Sequence, residues 1–234
     1  MVETIKDELS NVYASTKAFC NSKQLDINLA KTQFIMFKSP SKKLAEGLEL
    51  VLDSQTFPVL QQVKLLGVTL DRHLTYKEHV ASTVNTCNGY LGVLRRIACS
   101  LPRELCTLFY SSIIRSHLEF AGGLLVPVAK THLEKLDIIQ RKAARIICQT
   151  SSDSHAEPLL ASLGLQSLHE RRSKHMVKLV SDVLSNNCHP GLENMFNWED
   201  ADGADLQLPV SNTLMGKKRF GYVGAEVFNR YLND

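Results

Sequence analysis

The chain has 234 residues, 44% of them hydrophobic and 22% charged, with a formal net charge of +3. That is enough for one ordinary core or two smaller ones, and the mild basicity alone does not mark a nucleic-acid partner. A secreted or membrane-spanning chain is not expected. Met1 to Asp7 carries acids and no apolar core, and the longest near-apolar run, Phe120 to Ala129, is interrupted by two glycines and a proline.

Residues 1 to 23 predict an amphipathic helix, with Val2, Ile5, Leu9, Val12, Thr16 and Phe19 at spacings of three and four. A turn at Leu25 to Asn28 leads into a strand-like run from Gln33 to Phe37, and Ser39 to Lys43 reads as a loop. The alternation of Leu48, Leu50 and Leu52, followed by Phe57 to Leu60 and Val63 to Leu70, predicts a small antiparallel meander.

After Asp71 the period lengthens to about 3.6. Val80, Val84, Cys87, Leu91 and Leu94 form one helical stripe, and Pro102 opens the next helix, which carries Leu105, Leu108, Phe109, Ser112 and Ile113. Further helices are expected from about Lys130 to Cys148 and from about Ser167 to Leu184, closed by His189-Pro190-Gly191. The fold class is therefore α+β, predominantly α: an N-terminal helix plus a small antiparallel β meander (1–74), a helical bundle (75–190) and an irregular C-terminal tail (191–234).

Charge is spread unevenly. Tyr76 to Pro190 holds 14 Lys and Arg against 9 Asp and Glu, whereas Glu193 to Asp205 has five acids and no base. On the helix from Lys130, Leu133, Leu136, Gln140, Ala143 and Ile147 share one arc, and Lys135, Arg141, Lys142 and Arg145 lie opposite. Such a basic face suits a helix laid along a phosphate backbone, though solvated helix faces show the same pattern. Arg95-Arg96 and Arg171-Arg172 are similar basic pairs on helices. Tyr90, Phe109, Tyr110 and Phe120 offer aromatic surface, with core packing the commoner role. Lys31, set before a strand beside Asn28 and Thr32, could place an ammonium near a phosphate.

Metal and hydrolytic motifs are missing from the sequence. His169 and His175 are six apart, the eleven aspartates include no adjacent pair, and no nucleophile elbow or phosphate-binding glycine loop occurs. No metal site and no cofactor are expected. The six cysteines (Cys20, Cys87, Cys99, Cys106, Cys148, Cys188) form no Cys-x-x-Cys pair and read as small hydrophobes in a reducing, intracellular compartment, cytoplasmic or nuclear.

Taken in order, Leu25-Asp26-Ile27-Asn28-Leu29-Ala30-Lys31-Thr32-Gln33-Phe34-Ile35-Met36-Phe37, Lys64-Leu65-Leu66-Gly67-Val68-Thr69-Leu70-Asp71, Leu108-Phe109-Tyr110, Gln140 to Arg145, and Leu163-Gly164-Leu165 with Arg171-Arg172 form a collinear set. This set resembles the C-terminal part of a reverse transcriptase from a non-LTR, LINE or jockey-like retrotransposon. The resemblance covers nearly the whole chain.

The resemblance implies that Asn28 to Thr32 is a palm segment whose lysine, Lys31, approaches nucleotide phosphates. It implies that Leu66-Gly67 belongs to a primer-grip turn, with Lys64 and Gly67 as candidate nucleic-acid contacts. The helices after Tyr76 would be a thumb holding the template–primer duplex, with Lys135, Arg141, Lys142, Arg145, Arg171 and Arg172 as candidate contacts. The family's aromatic-x-Asp-Asp box would lie upstream of residue 1, and the Trp of its closing motif is replaced at Phe228-Asn229.

The expected protein is thus a truncated, catalytically inactive fragment of an RNA-directed DNA polymerase, with Lys31 as a vestige and Mg²⁺ required only by an intact parent. Its expected partners are RNA or RNA–DNA hybrid, bound without sequence preference, and the missing N-terminal polymerase portion of the parent. No membrane partner is expected. A binding module retained from the thumb, or a remnant without a selected role, are the alternatives.

Overall fold

The change of period near residue 75 coincides with a change of architecture. In a computed structural model, which describes residues 2–42, 48–192, 195–199, 205–213 and 215–233, the chain divides into two units, Met1–Leu74 and Thr75–Asp234. Lys43 of the expected loop and much of the acidic stretch from Glu193 to Asp205 fall outside the described residues.

The first unit is a helix on a small mixed sheet. Helix α1 (Val2–Ser22) contributes Leu9 and Tyr13 to a cluster built on Leu50, Leu52 and Phe57, with Leu29 and Phe34 packed alongside. Val12 and Phe19 of the same predicted stripe remain exposed. The expected meander resolves into two hairpins. Strands β2 (Glu49–Leu52) and β3 (Gln55–Leu60) pair antiparallel, while the short β1 (Phe34–Ile35) joins β3 in parallel. Strands β4 (Gln62–Leu65) and β5 (Val68–Asp71) form the second hairpin.

Both hairpins turn through two residues of positive φ, Asp53-Ser54 (47° and 65°) and Leu66-Gly67 (47° and 88°). These angles match the right-handed twist of the strands. At the first turn the Asp53 carboxylate accepts from the Tyr13 hydroxyl at 2.7 Å and from the Lys17 ammonium, which ties the hairpin tip to α1. The Lys17 and Tyr13 hydrogen bonds hold the Asp53 carboxyl below its ordinary pKa.

The second unit is helical. Helix α2 (Lys77–Ile97) packs chiefly on α6 (Lys130–Ile147), with Cys87, Leu91 and Leu94 buried on α2 and the predicted Leu133, Leu136, Ala143 and Ile147 buried on α6. Gln140, on the same arc, is buried as well, and its amide donates to the Gln166 carbonyl at 3.0 Å.

Between them runs a composite helix: α3 (Arg103–Phe109), a π-helical turn (Tyr110–Ile114) and α4 (Arg115–Glu119). Its buried positions are Cys106, Tyr110, Ile114 and Leu118, while Leu105 and Leu108 stay exposed. A spacing of four repeated three times overshoots an α-helical turn by about 40° per step. The wider π turn takes up that drift and keeps the four side chains on one face.

Short helices α5 (Gly122–Leu125) and α7 (Ala156–Ser162) pack on α8 (Leu168–Leu184) and α6, respectively. The Ser167 hydroxyl caps α8 by accepting the Glu170 amide at 3.2 Å.

The segment expected to be an irregular tail is regular over its last part. Helix α9 (Phe220–Asn233) lies on α8, burying Val223, Ala225 and Phe228 with Phe196 and Leu206. A side chain at Gly224 would come within 2.9 Å of Phe196 and 3.0 Å of Val180, so glycine permits this close approach. The Asn229 amide donates to the Leu206 carbonyl at 2.9 Å, and its oxygen accepts the Leu206 amide at 2.8 Å. That pairing gives Asn229 a packing role.

Candidate nucleic-acid interface

The candidate cations differ in what they touch, and that divides them. In the first unit, Lys31 ends a 3-10 turn (Leu29–Lys31) capped by Asn28, whose side chain accepts the Lys31 amide at 3.2 Å. The Thr32 hydroxyl donates to the Asn28 carbonyl at 3.1 Å, which fixes the turn and leaves Lys31 exposed. Lys64 is exposed on β4, and Gly67 occupies the second hairpin turn beside Leu66, itself 89% exposed. These three positions lie on separate elements of the unit.

In the second unit, Lys135 and Lys142 sit two turns apart on the outer face of α6, both exposed and neither ion-paired among the described residues. Arg141, one residue away, is bound to the Glu134 carboxylate. Arg145 is half-buried; its Nε donates to the Ser154 carbonyl at 2.9 Å, which leaves its terminal amino groups without a partner among the described residues.

The arginines of α8 do not belong to this face, and the sequence expectation for them is corrected. Arg171 donates from Nε and Nη2 to the two Glu119 oxygens, the second at 2.8 Å, and Arg115 approaches the same carboxylate at 3.9 Å. This pairing raises the Arg171 pKa and commits two of its donors to a carboxylate within the protein. Arg172 is only 3% exposed and faces Asp137 at 3.4 Å. A guanidinium with no route to solvent cannot meet a phosphate backbone.

The predicted aromatic surface also turns inward in part. Tyr110 is fully buried, which pushes its phenol pKa up against the opposing effects of the Gln140 amide and the Arg115 charge. Tyr90 stacks on His117 with ring centroids 5.3 Å apart, while Phe120 is exposed.

A basic residue outside the expected set completes a cleft. The last turns of α2 and α6 and the loop after α6 line a half-open cleft of about 770 Å³, to which Arg95, Lys142 and Arg145 all contribute and which no acidic side chain lines among the described residues. Leu91, Ala98 and Ile146 form apolar wall, and Cys99 stands at its edge, the exposed cysteine of the chain.

The cleft owes its shape to how α6 ends. Gln149, at φ 52°, donates its amide N–H to the Ile146 carbonyl at 3.2 Å, and Thr150 donates to Arg145 at 3.1 Å, a Schellman closure. The Gln149 side chain then donates to the Ala98 carbonyl at 2.8 Å and ties the two helix ends together. Sequence spacing within α6 could not reveal Arg95, because its partners in the cleft are about 50 residues away. The Arg95-Arg96 pair was the available signal.

Among the described residues, no group of three or more His, Cys, Asp or Glu side chains is placed to hold a metal ion, and no helix is long and apolar enough to cross a membrane. Comparison with protein-family models, curated proteins and solved structures returns no match for this chain.

Proposed function

We propose that the helical unit holds a nucleic-acid phosphate backbone along the outer face of α6, as a polymerase thumb does. In this reading the chain derives from the end-of-palm and thumb part of a non-LTR retrotransposon reverse transcriptase and performs no nucleotide addition by itself. The observation that carries the reading is the pair Lys135 and Lys142, exposed on one helical face and without an ion pair among the described residues. Backbone binding needs this arrangement, since each phosphate neutralised by a free cation releases condensed counterions.

The collinear motif resemblance supports the lineage, and the lack of adjacent aspartates in the sequence supports the expectation of no catalysis. A two-metal polymerase site requires carboxylates that hold its ions about 4 Å apart. Lys31 then has no transfer reaction to assist.

Two measurements test the reading. The purified chain should extend no primer with Mg²⁺ or Mn²⁺, and incorporation above background overturns the inactive assignment. It should bind an RNA–DNA hybrid with affinity that falls steeply as salt rises, and Lys135→Glu with Lys142→Glu should remove most of that affinity. Binding that ignores salt, or that survives both substitutions, overturns the thumb reading.

A further inference from the structure

Arg95, Lys142 and Arg145 bring three cations from two helices into one concave space, with no acid among the described residues that line it. Three neighbouring cations repel one another, so an uncompensated group of this kind is stable where it complements an anion. Arg95 and Lys142 make no ion pair or hydrogen bond among the described residues, whereas Arg141, Arg171 and Arg172 are each matched to a carboxylate. Asp153, which accepts from the Ser152 hydroxyl at 3.1 Å, does not line the cleft.

The shape narrows the anion. A volume near 770 Å³ lies within the range of small-molecule sites, about 300–1,000 Å³, and the apolar wall of Leu91, Ala98 and Ile146 suits an organic body attached to the charge. Guanidinium groups match phosphate oxygens in pairs, and a lysine adds a point charge. Three cations balance a phosphate monoester, which carries close to two charges at neutral pH, better than they balance a diester with one. A backbone passing the protein is served by an open row such as Lys135 and Lys142, of which only Lys142 also lines the cleft, where Arg95 and Arg145 join it.

We infer that the cleft between α2 and α6 is a binding site for a phosphate monoester carrying an organic group, either a free nucleoside monophosphate or the phosphorylated end of a nucleic-acid strand. This site does not depend on the reverse-transcriptase lineage. Lys142 is shared with the backbone face, but Arg95 belongs to the cleft and Lys135 does not line it.

The experiment is calorimetric titration of the full chain with four probes: adenosine 5′-monophosphate, a short 5′-phosphorylated oligonucleotide, the same oligonucleotide without its phosphate, and inorganic phosphate. Alkylation of Cys99 by iodoacetamide, read by peptide mass spectrometry, locates the ligand, with Cys188 as the internal control.

The monoester probes should bind and slow Cys99 alkylation, and the unphosphorylated oligonucleotide should not slow it. Stronger binding of adenosine 5′-monophosphate than of the phosphorylated strand identifies a nucleotide site, and the reverse order identifies a strand-end site. Arg95→Gln should weaken monoester binding at least about tenfold, the loss expected for one charge-assisted hydrogen bond, with an unchanged melting temperature. Arg95→Lys should restore part of it.

Lys135→Glu should weaken hybrid binding and leave monoester binding intact, so failure of this site and failure of the backbone reading give different patterns. The inference is overturned by any of four results: no monoester binding, equal protection by the unphosphorylated strand, binding unchanged in Arg95→Gln, or bound monoester that leaves Cys99 fully reactive.

Discussion

The arginine pair of α8 and the cations of the α2–α6 cleft look alike in the sequence and differ in the fold. Arg171 and Arg172 face Glu119 and Asp137, on other helices, and their charge is spent inside the protein. Arg95, Lys142 and Arg145 line a cleft of about 770 Å³ with no carboxylate among its described walls. The comparison teaches that a basic dipeptide on a helix becomes a binding feature only if the neighbouring helices fail to supply an acid. The same substitution should therefore cost stability in one region and binding in the other.

The largest expected effect is on the buried side. Arg172→Ala empties a buried space and takes the partner from Asp137, whose side chain is 28% exposed, and should lower unfolding stability by about 2–4 kcal/mol, measured by denaturant titration. Lys142→Ala should change it by no more than about 0.5 kcal/mol in the same assay. Similar losses from both would erase the distinction.

Alkaline pH tests the packing. Burial raises the Cys87 thiol on α2 to about 11 from an ordinary 9.0. Because the folded pKa is the higher one, this contribution is fully present below about pH 9 and is lost as pH rises through about 11, roughly 2–3 kcal/mol in all. Melting temperature should fall across that window.

Glu119→Gln should come next. It weakens the paired hydrogen bonds to Arg171 and should cost about 1.5–3 kcal/mol by thermal or chemical melt. Gln149→Ala is smaller, about 1 kcal/mol, since it removes one hydrogen bond to the Ala98 carbonyl while keeping a positive φ. Gln149→Gly loses the same bond but relieves the backbone, and should be closer to neutral. If glycine proves the more damaging of the two, the closure described for α6 is wrong.

Much of this fold is legible in the sequence because its helices are amphipathic. The buried arc of α6 and the Ser167 start of α8 follow directly from spacing and capping chemistry. Other features are hidden for identifiable reasons. The π turn after Phe109 keeps Tyr110, Ile114 and Leu118 in line with Cys106, and no single-period reading finds it. Gly164 announces the end of α7, but Gln24, Gln149 and Asn186 take the same left-handed position at other helix ends, where glutamine carries no such signal.

Helix α9 packs on α8 together with Phe196 and Leu206, which come from irregular segments before it, so spacing alone does not announce its place in the core. The candidate site was half legible. Exposure of Lys135 and Lys142 follows from helical phase, whereas the pairing of Arg171 and the membership of Arg95 depend on contacts between helices distant in sequence.

The most direct test of the account is hybrid binding across a salt series, comparing the wild-type chain with Lys135→Glu, Lys142→Glu and Arg171→Gln. The account predicts a steep negative slope of log affinity on log salt for the wild type. Each lysine reversal should flatten that slope by about 1, while Arg171→Gln leaves it unchanged. A slope that responds to Arg171 as it does to Lys142, or that is flat in the wild type, would contradict it.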